Sequence, residues 1–229
     1  MMYISEIFYS IQGEGLLTGI PSVFIRTSGC NLRCRWCDTP YTSWNAEGEE
    51  QSLEEIIASI AGFPTRHAVI TGGEPLLMKD LPRLTESLGT AGYHVTIETA
   101  GTVYANVYCD LISISPKLSN STPWTEEKGK YAQNHERLRL NLAVLKQYME
   151  TYPYQLKFVV DHQKDIEEVE SLVANLSTID RTRVLLMPQG RTVEELNNKA
   201  LWVTEACKTL GFRYCPRVQI NLYGDTRGT

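Results

Sequence analysis

The stretch Ser22-Val-Phe-Ile-Arg-Thr-Ser-Gly-Cys-Asn-Leu-Arg-Cys-Arg-Trp-Cys37 joins an apolar run to three closely spaced cysteines. Its first six residues have the β-branched and aromatic composition that is typical of a strand. The cysteines follow as C-x3-C-x2-C, at Cys30, Cys34 and Cys37. This spacing lets one short loop wrap three thiolates around a single centre, so the sequence predicts a metal site at the end of a strand.

Three thiolates suit more than one kind of metal centre. A structural zinc site needs a fourth Cys or His ligand, but the nearest histidine, His67, is distant and no second C-x2-C exists. A [4Fe–4S] cluster on three cysteines leaves one iron open to a small chelating molecule, and we favour that interpretation. The scattered Cys109, Cys207 and Cys215 are expected to be small buried hydrophobic residues.

The composition is that of an ordinary globular protein. The chain has 229 residues, of which 42% are hydrophobic and 21% charged, and its formal net charge is −5. This charge argues against a protein that holds nucleic acid by electrostatic attraction. No apolar run approaches the ~20 residues that cross a bilayer, and residues 1–14 lack the apolar block of a signal peptide. We therefore expect one domain over residues 1–229, cytoplasmic, with neither nucleic acid nor membrane as a partner.

Strand-like and helix-like segments alternate along the chain. The segments expected to be strands are 3–10, 22–27, 67–71, 93–98, 111–115, 155–161, 183–187 and 217–223. The segments expected to be helices are 81–88, 138–149, 166–176 and two that follow capping boxes at Ser52-Leu-Glu-Glu55 and Thr192-Val-Glu-Glu195. Residues 117–130 are expected to form a loop. This alternation predicts an α/β fold with a mostly parallel sheet.

Unusual residues fall where the expected strands end. They are Gly29 and Cys30, 72–74, Glu98 and Thr99, 115–117, and 187–189. In parallel α/β sheets, ligands bind beyond the carboxyl ends of the strands. The five segments should therefore meet on one face, where we expect the functional site.

Three features resemble the radical S-adenosylmethionine (SAM) superfamily. They are the cysteine spacing, the aromatic Trp36 before the last cysteine, and Gly72-Gly-Glu-Pro75 after a strand. The resemblance implies a partial (β/α)6 TIM-like barrel with mostly parallel strands, modified by an N-terminal strand pair and a C-terminal strand. It also implies a [4Fe–4S] cluster with SAM on the open iron. By this resemblance, one electron from the reduced cluster cleaves the sulfonium of SAM and gives a 5′-deoxyadenosyl radical, which abstracts hydrogen from the substrate.

Further segments are similar to the 7-carboxy-7-deazaguanine synthase family of that superfamily. They are Gln12-Gly-Glu-Gly15, Cys37-Asp-Thr39, Glu98-Thr-Ala-Gly101 and Ser115-Pro-Lys117. The resemblance implies conversion of 6-carboxy-5,6,7,8-tetrahydropterin to 7-carboxy-7-deazaguanine and ammonia in queuosine biosynthesis, with hydrogen taken from C6 and SAM regenerated. It further implies Mg2+, an electron donor such as flavodoxin or ferredoxin, and a homodimer.

The same resemblance assigns roles to individual residues. Contacts with SAM are expected from Trp36, Cys37, Asp38, Gly73, Glu74, Ser115, Pro116, Lys117, Met187, Pro188 and Gln189. Contacts with substrate are expected from Ile11, Gln12, Gly13, Glu14, Arg26, Thr71, Glu98 and Asn221, and Thr39 is expected to hold Mg2+. The residue types suit these tasks, because Arg26 offers a forked donor to a carboxylate, Glu74 an acceptor to an amino group, and Thr39 a neutral oxygen.

Several of these residues also have ordinary structural interpretations. Arg26 can form a surface ion pair, Glu98 can cap the loop after its strand, and Thr39 can open a turn. Residues 12–15 can be a plain hairpin turn, and Lys117 can be solvated. The sequence alone leaves these alternatives open.

Two other functions also remain open at this point. An activase that places a glycyl radical on a partner protein shares the cysteine and Gly-Gly-Glu segments. A non-catalytic module for structural metal or electron transfer shares only the cysteines. The run from Gln12 to Gly15, together with Arg26, favours the small-molecule enzyme. Residues 119–150 have no predicted role, and Asn221 stands where some family members carry a histidine in the C-terminal tail.

Overall fold

Nine strands form one sheet in this computed structural model, which describes residues 1–176 and 179–229. The strands are β1 (Met2–Ile11), β2 (Pro21–Thr27), β3 (Glu49–Gln51), β4 (His67–Gly72), β5 (His94–Thr99), β6 (Leu111–Ile114), β7 (Tyr154–Val160), β8 (Val184–Pro188) and β9 (Arg213–Tyr214). Their order across the sheet is β3-β1-β2-β4-β5-β6-β7-β8-β9. β1 pairs antiparallel with β2 and β3, and the later pairs are parallel. The sheet is open, and the predicted partial barrel with its N-terminal strand pair is confirmed.

Helices connect most of the parallel strands. They are α1 (Pro40–Ser43), α2 (Leu53–Ile60), α3 (Leu81–Thr90), α4 (Ala132–Leu138), α5 (Leu142–Thr151), α6 (Asp165–Asn175), α7 (Val193–Leu210) and α8 (Val218–Tyr223). Short 3-10 turns occupy Pro75–Leu77, Ser119–Ser121, Glu126–Gly129 and Arg181–Arg183. Within residues 1–176 and 179–229, no helix combines the length and the apolar character needed to span a bilayer.

Both predicted capping boxes fix the start of a helix. At α2, Glu55 N donates to Ser52 Oγ at 3.2 Å, and Ser52 N donates back to the Glu55 carboxylate at 2.7 Å. At α7, Thr192 and Glu195 make the same reciprocal pair. Each cap satisfies N–H groups that the helix itself leaves unpaired, which is worth about 1 kcal/mol. α7 stops at Gly211, whose φ of 69° is left-handed.

The two faces of the parallel strands differ in polarity because successive side chains of a strand point in opposite directions. On one face, Ile70, Ile97 and Leu156 belong to a single large apolar core and are fully buried. On the opposite face, the residues that follow them are polar, namely Thr71 after Ile70, Glu98 after Ile97 and Lys157 after Leu156. The alternation therefore gives the sheet a face for packing and a face for chemistry.

The C-terminal segment departs from its predicted structure. Residues 217–223 do not form the predicted strand, because 218–223 are helix α8, and the C-terminal strand of the sheet is only the two-residue β9. The alternating apolar residues favoured a strand, but Ile220 is the buried one among them. Parallel pairing stops where Cys215 N donates to Leu186 O, and the chain then turns across the end of the sheet.

The region before β7 also differs from the prediction. The helix expected over 138–149 is α5, which begins at Leu142 because Asn141 caps it by accepting a hydrogen bond from Val144 N at 3.3 Å. α4 precedes it and was not predicted. The expected loop over 117–130 contains the two 3-10 turns Ser119–Ser121 and Glu126–Gly129.

We predict that Gly72→Ala lowers the free energy of unfolding by about 3 kcal/mol. Gly72 has φ of 136°, and an added Cβ would lie 2.1 Å from Thr27 O. That carbonyl belongs to the neighbouring strand and cannot move without disturbing the sheet. Chemical denaturation measures the difference. Gly62→Ala is the matched control, because nothing lies within 4 Å of its added Cβ, and equal losses in the two variants would contradict the prediction.

Candidate active site

A cavity of about 340 Å³ opens at the carboxyl ends of the parallel strands. Its volume is in the range of small-molecule sites. The polar face of the sheet forms its floor, with Thr71, Glu98, Ser113 and Lys157 each contributed by a different strand. The predicted site residues that line it are Ile11, Gln12, Gly13, Glu14, Arg26, Cys30, Cys34, Trp36, Cys37, Asp38, Thr39, Thr71, Gly73, Glu98, Ser115, Lys117 and Met187.

The cysteine loop places three free thiols on one part of the cavity wall. Leu32 N donates to Cys30 Sγ at 3.3 Å, and Cys37 N donates to Cys34 O at 3.2 Å, which folds the loop back on itself. The Cys37 thiol lies 3.3 Å from Ser43 Oγ at the end of α1. Local hydrogen bonds thus bring the three sulfurs to one wall.

The surroundings of these thiols suit a metal centre. Burial raises the pKa of Cys30 to about 12 and also raises the pKa of Cys34, so metal binding must displace their protons. Among the described residues, no group of three or more His, Cys, Asp or Glu is arranged to hold a single metal ion. Three soft donors around a shared cavity fit the larger [4Fe–4S] centre, with Cys30, Cys34 and Cys37 as its ligands.

The wall beside the thiols combines apolar and cationic groups. Lys117 Nζ donates to Ser115 Oγ at 2.8 Å and lies 5.7 Å from the centre of the Trp36 ring. Trp36 also packs against a small apolar cluster that includes Met187 and Val159. This wall offers both a flat apolar surface and hydrogen-bonding groups to a ligand next to the cysteines.

Glu74 lies behind the cavity wall and organises it. The side chain is fully buried, and its carboxylate accepts hydrogen bonds from Thr99 Oγ1 at 2.8 Å, Ala100 N at 2.9 Å and Leu76 N at 3.2 Å. Burial raises the pKa of this carboxyl. Glu74 thereby ties the end of β4 to the end of β5 and supports the wall, and its predicted contact with SAM stays a prediction.

A second polar set lies on the floor of the cavity. Gln12 Nε2 donates to Glu98 Oε1 at 3.1 Å, and Thr71 Oγ1 donates to Glu98 Oε2 at 2.8 Å. Gln12 Oε1 accepts from Glu14 N at 3.0 Å, which fixes the orientation of the amide. Residues from the ends of three strands therefore present one preorganised group of acceptors and donors.

Arg26 provides a cation on the same wall. Its Nε donates to Glu6 Oε1 at 2.6 Å, and its guanidinium lies 5.4 Å from the centre of the Phe8 ring. Tyr41 OH donates to the same Glu6 oxygen at 3.0 Å. Among the described residues, Nε is the Arg26 nitrogen that donates to a protein acceptor, so the Nη groups remain for a ligand.

A buried ion cluster closes one side of the cavity. Glu14 accepts hydrogen bonds from Lys157 Nζ, from Arg217 Nε at 2.9 Å and from Gln219 Nε2 at 2.7 Å. Arg217 also donates to Asp38, directly after the last cluster cysteine. Burial raises the pKa of Glu14, but Lys157 and Arg217 outweigh burial and hold it well below its usual 4.5. The predicted role of Glu14 as a substrate contact stays a prediction, since three protein donors already contact its carboxylate.

Some predicted site residues do not reach the cavity wall. These are Glu74, Pro116, Pro188, Gln189 and Asn221. Gln189 instead accepts a hydrogen bond from Lys199 at 3.0 Å. Asn221 is exposed on α8, because the helix turns its side chain away from the sheet that a strand would have joined. The position of Asn221 therefore does not support the predicted substrate contact.

Other residues of the site were missed by the sequence analysis. Lys157, Arg217, Gln219 and Tyr41 line the cavity, as do residues 224–229. A lysine within the apolar strand QLKFVVD was a detectable signal, because a buried charge requires a partner. Arg217 carried no such signal, since it stands at the start of its predicted strand and not within an apolar run.

Comparisons with known proteins show which family this chain resembles. The Radical SAM superfamily model matches residues 24–173. The chain is 47% identical over 229 residues to 7-carboxy-7-deazaguanine synthase from Rhodopirellula baltica, covering 100% of this chain and 89% of the relative. It is 44% identical over 236 residues to the protein of that name from Halobacterium salinarum, covering 99% and 92%. This chain belongs to the 7-carboxy-7-deazaguanine synthase family.

Membership of the 7-carboxy-7-deazaguanine synthase family confirms the predicted enzyme class, a radical SAM lyase of deazapurine biosynthesis. It also supports the [4Fe–4S] cluster and SAM as cofactors. The crystal structure of QueE from Escherichia coli aligns with a TM-score of 0.71 at 30% identity, over 93% of this chain and 92% of that chain. The glycyl-radical activase and the non-catalytic module are therefore set aside.

We predict that Lys157→Met lowers the free energy of unfolding at pH 7 by about 3 to 5 kcal/mol, because it leaves the Glu14 carboxylate buried with less compensating charge. Glu14→Gln in the same chain should recover part of the loss. The pKa of Glu14 is depressed in the folded protein, so its stabilising contribution is present above about pH 4.5 and is lost as the pH falls below that value.

Chemical denaturation from pH 3 to pH 7 measures the difference in free energy of unfolding between wild type and Lys157→Met. This difference should become smaller at the acidic end. Lys208→Met is the control, since Lys208 forms an exposed pair with Glu205 that is worth less than about 1 kcal/mol. A loss at Lys157 as small as the loss at Lys208 would refute the assigned role.

Proposed function

We propose that this chain converts 6-carboxy-5,6,7,8-tetrahydropterin to 7-carboxy-7-deazaguanine and ammonia. The observation that carries the proposal is one cavity that joins three thiols to a preorganised set of amide, carboxylate and guanidinium groups. The product and ammonia together contain all the atoms of the substrate, so the rearrangement needs no net oxidant. When bound, the cluster and SAM supply the hydrogen abstraction at C6 that starts the reaction, and SAM is regenerated.

Glu98, Gln12 and Thr71 are proposed to hold the pterin ring. A pterin presents an amino group, ring N–H groups and a carbonyl along one edge. An ionised carboxylate has about four acceptor positions, and the two protein donors at Glu98 leave further positions for N–H groups of the ring. Because these side chains already hold one another, they lose little conformational freedom when substrate binds.

Arg26 is proposed to bind the substrate carboxylate. Its bond to Glu6 fixes the guanidinium plane through Nε, and the two Nη groups form the fork that matches a carboxylate. A guanidinium that binds Glu6 through Nε and the substrate carboxylate through its Nη groups orients the substrate. It thereby determines which ring atom faces the thiols.

Thr39 is proposed to hold Mg2+. It lines the cavity two residues after Cys37, and Thr42 Oγ1 lies 3.2 Å from its hydroxyl. Mg2+ keeps most of its waters and takes few protein ligands, so one neutral hydroxyl between the cysteine loop and the substrate residues is a suitable donor.

Trp36, Asp38, Gly73, Ser115, Lys117 and Met187 are proposed to contact SAM, because they line the wall beside the thiols. We further propose that residues 1–229 act as one domain, in a cytoplasmic homodimer reduced by flavodoxin or ferredoxin. These last points rest on family resemblance.

Anaerobic reconstitution with iron and sulfide, followed by incubation with the carboxy-tetrahydropterin, SAM, Mg2+ and a reductant, tests the function. We expect equal amounts of 7-carboxy-7-deazaguanine and ammonia, measured by mass spectrometry, and slower turnover after chelation of Mg2+. Cys34→Ser should abolish product, whereas Cys109→Ser, outside the cavity, should not. A loaded enzyme whose cluster spectrum responds to SAM but that forms no product would refute the assigned substrate.

We predict that Arg26→Ala raises KM for the pterin by about 10- to 100-fold, the effect of losing charge-assisted hydrogen bonds. Reductive cleavage of SAM without substrate should continue. Separate assays of pterin turnover and of SAM cleavage show whether only the first is impaired. Arg26→Lys, which keeps the charge beside Glu6, should fall between wild type and Ala. The control is Arg83→Ala, with a side chain 71% exposed. Equal loss of both reactions would mean that Arg26 supports the fold alone.

A further inference from the structure

Residues 118–139, which we call the clamp segment, bind the backbone of the cysteine loop from outside the cavity. Arg33 N donates to His135 Nδ1 at 3.1 Å, and Arg35 N donates to Ser121 O at 2.9 Å. Trp36 Nε1 donates to Asn120 O at 3.1 Å. Most of this segment lies within residues 119–150, which had no predicted role.

The contacts of His135 determine which of its ring nitrogens carries the proton. Because Arg33 N–H is a donor, His135 Nδ1 must be the acceptor and carry no hydrogen. Ser121 Oγ donates its own proton to Leu118 O at 2.6 Å, so His135 Nε2–H is the donor in the 2.9 Å contact with Ser121 Oγ. The imidazole is 1% exposed and neutral, and burial lowers its pKa to about 4.

Ion pairs hold the clamp segment in place. Arg139 donates to Glu136 at 2.6 Å and to Glu168 on α6 at 2.9 Å. It also donates to Lys117 O at 2.9 Å, next to the cavity wall. Thr122 Oγ1 donates to Glu136 at 2.6 Å. The acceptors that face the cysteine loop therefore belong to a segment that is tied to α6.

The direction of the loop N–H groups matters for an iron–sulfur centre. An N–H group that points at a cluster sulfur stabilises the added negative charge of the reduced state and so raises the reduction potential. Leu32 N–H points at the sulfur of Cys30 at 3.3 Å. The N–H groups of Arg33 and Arg35 lie in the same loop but are bound by the clamp segment on its outer side.

We propose that His135 and Ser121 are positioning residues, which hold the Arg33 and Arg35 N–H groups away from the cluster sulfurs and so keep the cluster potential low. A low potential suits a cluster that must give up an electron to a bound sulfonium. The proposal goes beyond the proposed function and depends on the cysteine cluster alone, so the identity of the substrate does not affect its test.

The test is a redox titration of the reconstituted enzyme, followed by electron paramagnetic resonance. His135→Leu removes the acceptor and should shift the potential in the positive direction, by about a fivefold change in the reduction equilibrium constant, the effect of one ordinary hydrogen bond. His135→Asn keeps an acceptor near the Nδ1 position and should restore the wild-type potential. His162→Leu is the control, because His162 has a side chain 61% exposed.

Hydrogen exchange of the amides in residues 31–36 provides a second measurement. Exchange at Arg33 should accelerate in His135→Leu and return to the wild-type rate in His135→Asn. If His135→Leu does not bind the cluster, the potential of Ser121→Ala tests the proposal instead. This variant keeps the carbonyl that binds Arg35 N but removes the hydroxyl that accepts from His135 Nε2–H. It should give a smaller shift of the same sign. An unchanged potential in a loaded variant whose Arg33 amide exchanges faster would overturn the proposal.

Discussion

The burial of the Glu14 carboxylate is the constraint on which the site depends. A buried charge is costly unless it is paired, and the partners of Glu14 come from positions 143 and 203 residues away in sequence. Lys157 lies on β7, and Arg217 precedes α8. Because the sheet is open, its first and last parallel strands do not pair. The ion cluster, together with the bond from Leu16 N to Gln155 at 2.7 Å, joins the two sides across the cavity.

Features encoded in short segments of sequence could be predicted. The capping boxes at Ser52 and Thr192 located two helix starts, and the cysteine spacing located the cluster loop, because each depends on residues close in sequence. The alternation of apolar and polar residues over 217–223 led to the wrong prediction of a strand, because such alternation gives a strand only where a sheet edge is available. The partners of Lys157 could not be predicted, because they depend on how distant segments meet in the folded chain.

The candidate site divides in the same way. Most of the residues assigned by family resemblance line the cavity, whereas Glu74, Pro116, Pro188, Gln189 and Asn221 do not. Glu74 lies one layer behind the wall, which shows that a motif can mark the support of a site as well as its surface. His135 is separated from the cysteine loop by about a hundred residues, and no sequence motif includes it. Its importance follows from two hydrogen bonds that only the three-dimensional arrangement provides.

The open sheet has two edges, and both are poor templates for another strand. At one edge β3 is three residues long and presents the exposed side chains of Glu49 and Glu50. At the other edge β9 has two residues. Short or charged edges resist the addition of a foreign strand, and two copies of β3 would repel each other. We therefore expect the edges to protect the chain from growing into a continuous intermolecular sheet.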